Sequence, residues 1–199
     1  VSGNTRHGDT AMRLYGRNPD DWNYDNVNSF RVEMGMSANR HEFWNDDIMG
    51  WGQPFWFSFS FYVPEDREIY EDGSGAAYTE NIAEWHVNYT NFPDENSDDN
   101  VGVGTGYSKP WVMSLIRDEI RIRTDYQNPD GSGAADTVTA ELKPGQWHDI
   151  VVNVEWARYD DDNEGFMKIW VDGEQLYDHE GATVINTDEP PRPLKLSIY

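Results

Sequence analysis

The chain has 199 residues, with 15 Lys+Arg against 37 Asp+Glu and a formal net charge of -22. That balance excludes a nucleic-acid binder, which needs a basic face to displace phosphate counterions, and docking on an anionic membrane surface. Mean hydropathy is low, at -0.82, but nine Trp, 11 Tyr and eight Phe supply enough large apolar side chains to close a core and exclude disorder. Residues 1–199 read as one domain.

No apolar run approaches the ~20 residues of a membrane span, so no membrane insertion is expected. The absence of cysteine excludes disulfides and thiolate chemistry. Lysine is scarce, and acids are spread along the whole chain rather than gathered in a tail. Such a surface repels itself at low salt and loses that penalty when the Debye length falls to ~3 Å at 1 M. The composition therefore predicts the salt-adapted protein of a halophilic organism, in preference to a calcium-rich extracellular domain.

In chain order, strands are predicted at 30–36, 55–63, 82–88, 111–116, 119–124, 137–142, 147–156, 166–171 and 194–199. Period-two alternation carries each of them. The second is the clearest, with Phe55, Phe57, Phe59, Phe61 and Val63 on one face and Pro64 ending it. A short helix is expected at 65–70. Turn signals lie at Asn128-Pro129-Asp130-Gly131, Lys143-Pro144-Gly145, Asp172-Gly173 and Glu189-Pro190-Pro191. Gly-Ser-Gly-Ala-Ala occurs at 73–77 and 131–135, and both copies read as loops. Many short antiparallel strands without long helices predict an all-β sandwich of the jelly-roll type, with a polar concave groove.

Parity shows where that groove could carry chemistry. Arg31 and Glu33 alternate with Phe30, Val32, Met34 and Met36. Glu84, His86 and Asn88 alternate with Ala83, Trp85 and Val87. Lys195, Ser197 and Tyr199 alternate with Leu194, Leu196 and Ile198. If these strands are neighbours, their ionisable groups line one groove. His7, His41 and His179 read as loop residues, and His148 follows an expected core Trp147. The acidic stretches 94–100 and 160–164 read as solvated turns. The sequence requires no cofactor, and those turns are where a structural calcium could sit. The Asn88-Tyr89-Thr90 sequon reads as chance.

Several segments, in order, resemble the jelly-roll polysaccharide lyases of the heparin lyase I and glucuronan lyase type. They are Arg31-x-Glu33, Gly52-Gln53-Pro54-Phe55-Trp56-Phe57-Ser58-Phe59-Ser60 through Pro64, and Trp85-His86. Pro110-Trp111-Val112-Met113-Ser114-Leu115 and Gly145-Gln146-Trp147-His148-Asp149-Ile150-Val151-Val152 follow. Gly165 to Gly173, with Trp170 and Asp172, resembles the family's Gly-x-x-x-x-Trp-x-Asp-Gly strand and turn. Lys195-Leu196-Ser197-Ile198-Tyr199 resembles its closing Lys-x-Gly-x-Tyr.

The resemblance implies a concanavalin A-like sandwich, secreted or at the cell surface, that carries out β-elimination on a uronate-containing anionic polysaccharide such as glucuronan or alginate. That reaction needs a base for the C5 proton, an acid for the departing O4, and charge to stabilise the enolate-like dianion. By position, His86 and Tyr199 become the proton-transfer pair and Arg31 and Lys195 the carboxylate side. Glu84 joins the catalytic set, and Glu33, Asn88, Arg121 and Arg123 become substrate-binding candidates. Two positions depart from the family pattern. Glu84 stands where Gln is usual, so it either donates as an acid with a raised pKa or leaves the amide's role to Asn88. Ser197 stands where Gly is usual, and the chain stops at Tyr199, which reads as a domain excised from a longer chain.

Two other readings compete. A non-catalytic glycan-binding sandwich of a secreted, cell-surface or virion protein would use Trp22, Trp44 and Trp51 as stacking surfaces. A glycoside hydrolase would use Glu33 and Glu84 as its carboxylate pair.

Overall fold

The computed structural model describes residues 50–67, 69, 79–88, 107–162, 164–185 and 191, and the segments 32–35 and 195–198. Ten strands result. They are β1 (Val32–Gly35), β2 (Phe55–Tyr62), β3 (Glu80–Asn88), β4 (Tyr107–Ile116), β5 (Glu119–Gln127), β6 (Gly133–Glu141), β7 (Trp147–Glu155), β8 (Phe166–Val171), β9 (Glu174–Glu180) and β10 (Lys195–Ile198). Every pairing is antiparallel. One sheet runs β1-β10-β3-β4-β5-β6 and the other β2-β7-β8-β9.

The alternation that defines β2 explains how the sheets close. Phe55, Phe57, Phe59 and Phe61 turn inward, and Trp56, Ser58 and Ser60 turn out. The facing sheet contributes Ala83, Trp85, Trp111, Met113, Leu115, Ile120 and Ile122, all buried. Aromatic rings cross the gap edge to face: Phe57 meets Trp85 at 4.2 Å and 69°, and Trp111 at 5.9 Å and 87°. This is the favoured quadrupole geometry and adds to area burial. Along one edge, Thr124 donates to the Tyr177 hydroxyl (3.0 Å), which donates to Asp136 (2.9 Å), so β9 is tied to β5 and β6. Burial and Asp136 hold the Tyr177 hydroxyl well above the usual tyrosine range.

The predicted turns at Asp172-Gly173 and Lys143-Pro144-Gly145 are present. Asp172 (φ 51°) and Gly173 (φ 84°) both take the left-handed region, as a two-residue turn matched to strand twist requires. At Gly145 (φ 80°) a Cβ would lie 2.6 Å from Glu65 Cγ, so only glycine fits.

Several expectations are corrected. Glu65 to Arg67 form a turn closed by Arg67 N–H donating to Pro64 C=O (3.2 Å), not a helix. The second Gly-Ser-Gly-Ala-Ala enters β6 at Gly133, because its residues 133–135 complete the ladder against β5; the first copy lies outside the described residues. His179 is in β9, not a loop, with its ring 4.3 Å from Tyr126. β9 escapes the pattern because Leu176 and Tyr177 stand among polar residues on an edge strand, beside an irregular register at β8.

The parity of β7 also differs from the expected one. His148, not Trp147, faces the interior: His148 is buried and donates from Nδ1 to Asp172 (2.7 Å) while Nε2 accepts from the Lys143 amide (3.0 Å). Trp147 is half-buried beside Tyr62. His7, His41, Trp22 and Trp44 lie outside the described residues.

Candidate active site

The outer face of the six-stranded sheet collects the charges. On β3, Ala83 and Trp85 fill the core, and Glu84 between them turns to the other side. Glu84 nonetheless has no exposure, and Lys109 Nζ lies 2.6 Å from its Oε2. A carboxylate withdrawn from water is stable as an ion only beside a cation, and Lys109 supplies one while keeping a quarter of its side chain in solvent.

Two irregularities in the β3–β4 ladder make this arrangement. Asn81 pairs with Ser114 but Ala83 with Met113, so Ile82 is an extra residue on β3 and packs against the core. Asn81 and Glu84, three apart, therefore share the outer face. Farther along, Trp85 pairs with Trp111 but Val87 with Ser108, so Lys109 and Pro110 together stand opposite His86. Proline lacks the N–H that a central strand needs, and a bulge accommodates it.

Register then assembles a row across the sheet. Gly35 pairs with Lys195, Lys195 with Glu84, Glu84 with Val112, Val112 with Arg123, and Arg123 with Thr137. The adjacent row runs Asn81, Ser114, Arg121, Thr139, with the Ser114 hydroxyl donating to Asn81 Oδ1 (2.7 Å). Arg123 donates from Nε to Asp125 Oδ1 (2.7 Å), and Arg121 lies 3.6 Å from Glu119. Burial holds the Asp125 carboxyl above its ordinary range; the hydrogen bond and charge of Arg123, and the charge of Lys109, oppose this shift. Both arginines keep over two fifths of their side chains exposed, so they are available to an anionic ligand.

Of the residues predicted from sequence, Glu84, Arg121 and Arg123 share this face. Lys195, Glu33, His86 and Asn88 are located by strand position: Lys195 opposite Glu84, Glu33 opposite Ser197, His86 beside the Lys109–Pro110 bulge, and Asn88 opposite Tyr107. Their side chains lie outside the described set. Arg31 and Tyr199 also lie outside the described residues, each one position beyond the Val32–Ile198 pair that ends the β1–β10 ladder.

Sequence reasoning missed Lys109 and Asp125. The available signal was Pro110, a proline within a strand otherwise rich in core residues, which marks a bulge and a re-aimed neighbour. Trp51 is corrected as a stacking surface, because it packs against the core under the Arg158 guanidinium, 5.6 Å from its ring centroid. In the 160–164 turn, Asp160 and Asp161 point their carboxylates at Arg158 (3.7 and 2.9 Å). Among the described residues no group of three His, Asp or Glu could hold a metal ion.

The family described as polysaccharide lyase matches residues 1–199. The chain belongs to the polysaccharide lyase family. Among solved structures, the endo-β-1,4-glucuronan lyase of the fungus Trichoderma reesei is similar in fold, with a TM-score of 0.51 and 22% identity. The match covers 75% of this chain and 58% of that one, so the chain spans well under two thirds of that enzyme's length. No curated protein matches. The jelly-roll sandwich expected from sequence is thus the fold of this family member.

Proposed function

We propose that the chain cleaves a uronate-containing polysaccharide, of glucuronan or alginate type, by β-elimination on the outer face of the six-stranded sheet. The observation that carries this reading is the buried Glu84–Lys109 pair at 2.6 Å, in a row with Lys195 and Arg123. An unpaired Glu84 carboxylate would repel a substrate carboxylate; paired to Lys109, its charge is offset locally. Glu84 then anchors cations instead of acting as an acid, and Arg31, Lys195, Arg121 and Arg123 attract and polarise the uronate carboxylate. His86 takes the C5 proton, Tyr199 returns one to O4, and Glu33 and Asn88 contact the sugar. No cofactor enters the scheme.

The hydrolase alternative loses its second carboxylate, since Glu84 has no exposure and is held by Lys109. The polymer partner and high-salt working conditions follow from one electrostatic argument. At a net charge of -22, a polyanion approaches readily only when long-range repulsion is screened. Activity therefore rises with salt, and the protein works in a saline extracellular setting.

The test is incubation with glucuronan, alginate and other uronans in molar salt, following the ultraviolet absorbance of the 4,5-unsaturated product end. Product that disappears in His86→Ala supports the reading. A folded protein that yields no product from any uronan overturns it, and glycan binding that survives both His86→Ala and Tyr199→Phe without product would leave a binding module instead.

A further inference from the structure

The opposite face of the sandwich carries a feature that the reaction does not use. Trp56 is 65% exposed, the most open of the large apolar side chains among the described residues. Its ring stacks on Trp170, with centroids 5.4 Å apart and planes at 25°. Trp56 pairs with Asn153 and Trp170 with Val151, so the two rings approach each other from either side of β7, at adjacent outward positions of that strand. A shallow cleft of about 570 Å³ opens beside them, with Asn153, Glu164, Phe166, Lys168, Gln175 and Glu180 among its walls.

These walls are already ordered. Asn153 donates to the Phe55 carbonyl (3.1 Å). Lys168 lies 3.3 Å from Asp178, which also accepts from Gln175 (2.9 Å). Flat aromatic faces ringed by amides and charged groups match one ligand chemistry closely. A pyranose offers an apolar C–H face for stacking and equatorial hydroxyls for the polar rim.

We propose that the outer face of the four-stranded sheet is a second polysaccharide-binding site, with Trp56 and Trp170 as its stacking platform. It holds a pyranose chain on the side of the sandwich opposite Glu84 and Lys109, and so keeps the protein on its polymer between cleavage events. The identity of the polymer, and the site's role between cleavage events, rest on the lyase reading; the binding itself does not.

Affinity electrophoresis in molar salt tests this with glucuronan, alginate and uncharged hydroxyethylcellulose as probes. Each is run against the parent and the Trp56→Ala, Trp56→Phe and Trp170→Ala variants, with thermal melting to check folding. At least one polymer should retard the parent. Trp56→Ala should weaken that binding about tenfold, the loss of roughly 1.4 kcal/mol of stacking, and Trp56→Phe should retain most of it. Cleavage of short oligouronides should be unchanged in Trp56→Ala.

Unaltered retardation of Trp56→Ala by every retarding polymer, or no retardation of the parent by any, overturns the proposal. So does a parent dimer in sedimentation that Trp56→Ala abolishes. Retardation that depends on Trp56 in a protein that makes no unsaturated product would overturn the lyase reading alone. Oligouronide cleavage without retardation would overturn this site alone.

Discussion

The two outer faces of the sandwich obey the same alternation and end in opposite chemistry. On the six-stranded sheet, charged groups are drawn in: Glu84 and Asp125 are buried and held by Lys109 and Arg123. On the four-stranded sheet, aromatic groups are left out, with Trp56 in water beside Trp170. Each arrangement is unfavourable for the fold taken alone, since buried ions lose hydration and exposed indole gains nothing from the core. The difference lies in coupling. A charge on the first face depends on its neighbour's charge, whereas an indole on the second can be removed with little consequence for the fold.

The largest effect expected from breaking this contrast is on chemistry. His86→Ala should lower the rate of unsaturated-product formation by about 10²–10⁴-fold, the usual range for a lost proton-transfer group, with melting temperature little changed. A rate within threefold of the parent would remove His86 from the reaction.

Next comes the ion pair. Lys109→Met removes the cation beside a fully buried carboxylate and should cost about 3 kcal/mol in urea unfolding, the low end for a broken buried pair because Lys109 is partly exposed. Lys109→Met combined with Glu84→Gln should recover most of that loss. Simple additivity of the two single variants would show that the pair is not coupled.

A smaller effect is tied to pH. Burial raises the Asp125 pKa in the folded protein, so its linkage favours the fold at low pH and is lost as pH rises from the ordinary aspartate range through the raised value. Asp125→Asn should therefore gain on the parent in melting temperature as pH rises from about 4 towards neutrality. A loss over the same interval would mean that Arg123 outweighs burial.

The smallest effect is the stability of Trp56→Ala, expected within about 0.5 kcal/mol of the parent because its side chain is mostly in water. A cost above about 2 kcal/mol would place Trp56 in the structural core and erase the contrast between the faces.

Much of the fold was legible because alternation is local. Phe55 to Val63 names its own inward face, and Asp172-Gly173 names its own turn. The candidate site was legible in part, for the same reason: Glu84 between Ala83 and Trp85 had to face away from them. Lys109 was not legible, because the parity rule assumes an unbroken ladder and Pro110 breaks it. Ile82 shows the same limit from the other side, since simple parity would put it beside Glu84 and the extra residue in β3 returns it to the core. Trp147 and His148 exchanged their expected places because hydrophobicity alone favours Trp inside. The Asp172–His148–Lys143 hydrogen bonds satisfy both ring nitrogens and make the inward histidine tolerable instead.

The charge of -22, the all-β alternation and the ordered set of family motifs were decided by the sequence by itself, because composition and period-two patterning need no partner strand to be read. Only the tertiary structure decided that Lys109 neutralises Glu84, that Arg121 and Arg123 join the same face, and that Trp56 meets Trp170 on the other. Those contacts depend on strand order, register and bulges, which bring together residues as far as 114 positions apart in the chain, from Trp56 to Trp170. Local preference specifies a strand's two faces; which residues meet across them is fixed only when the sheets form.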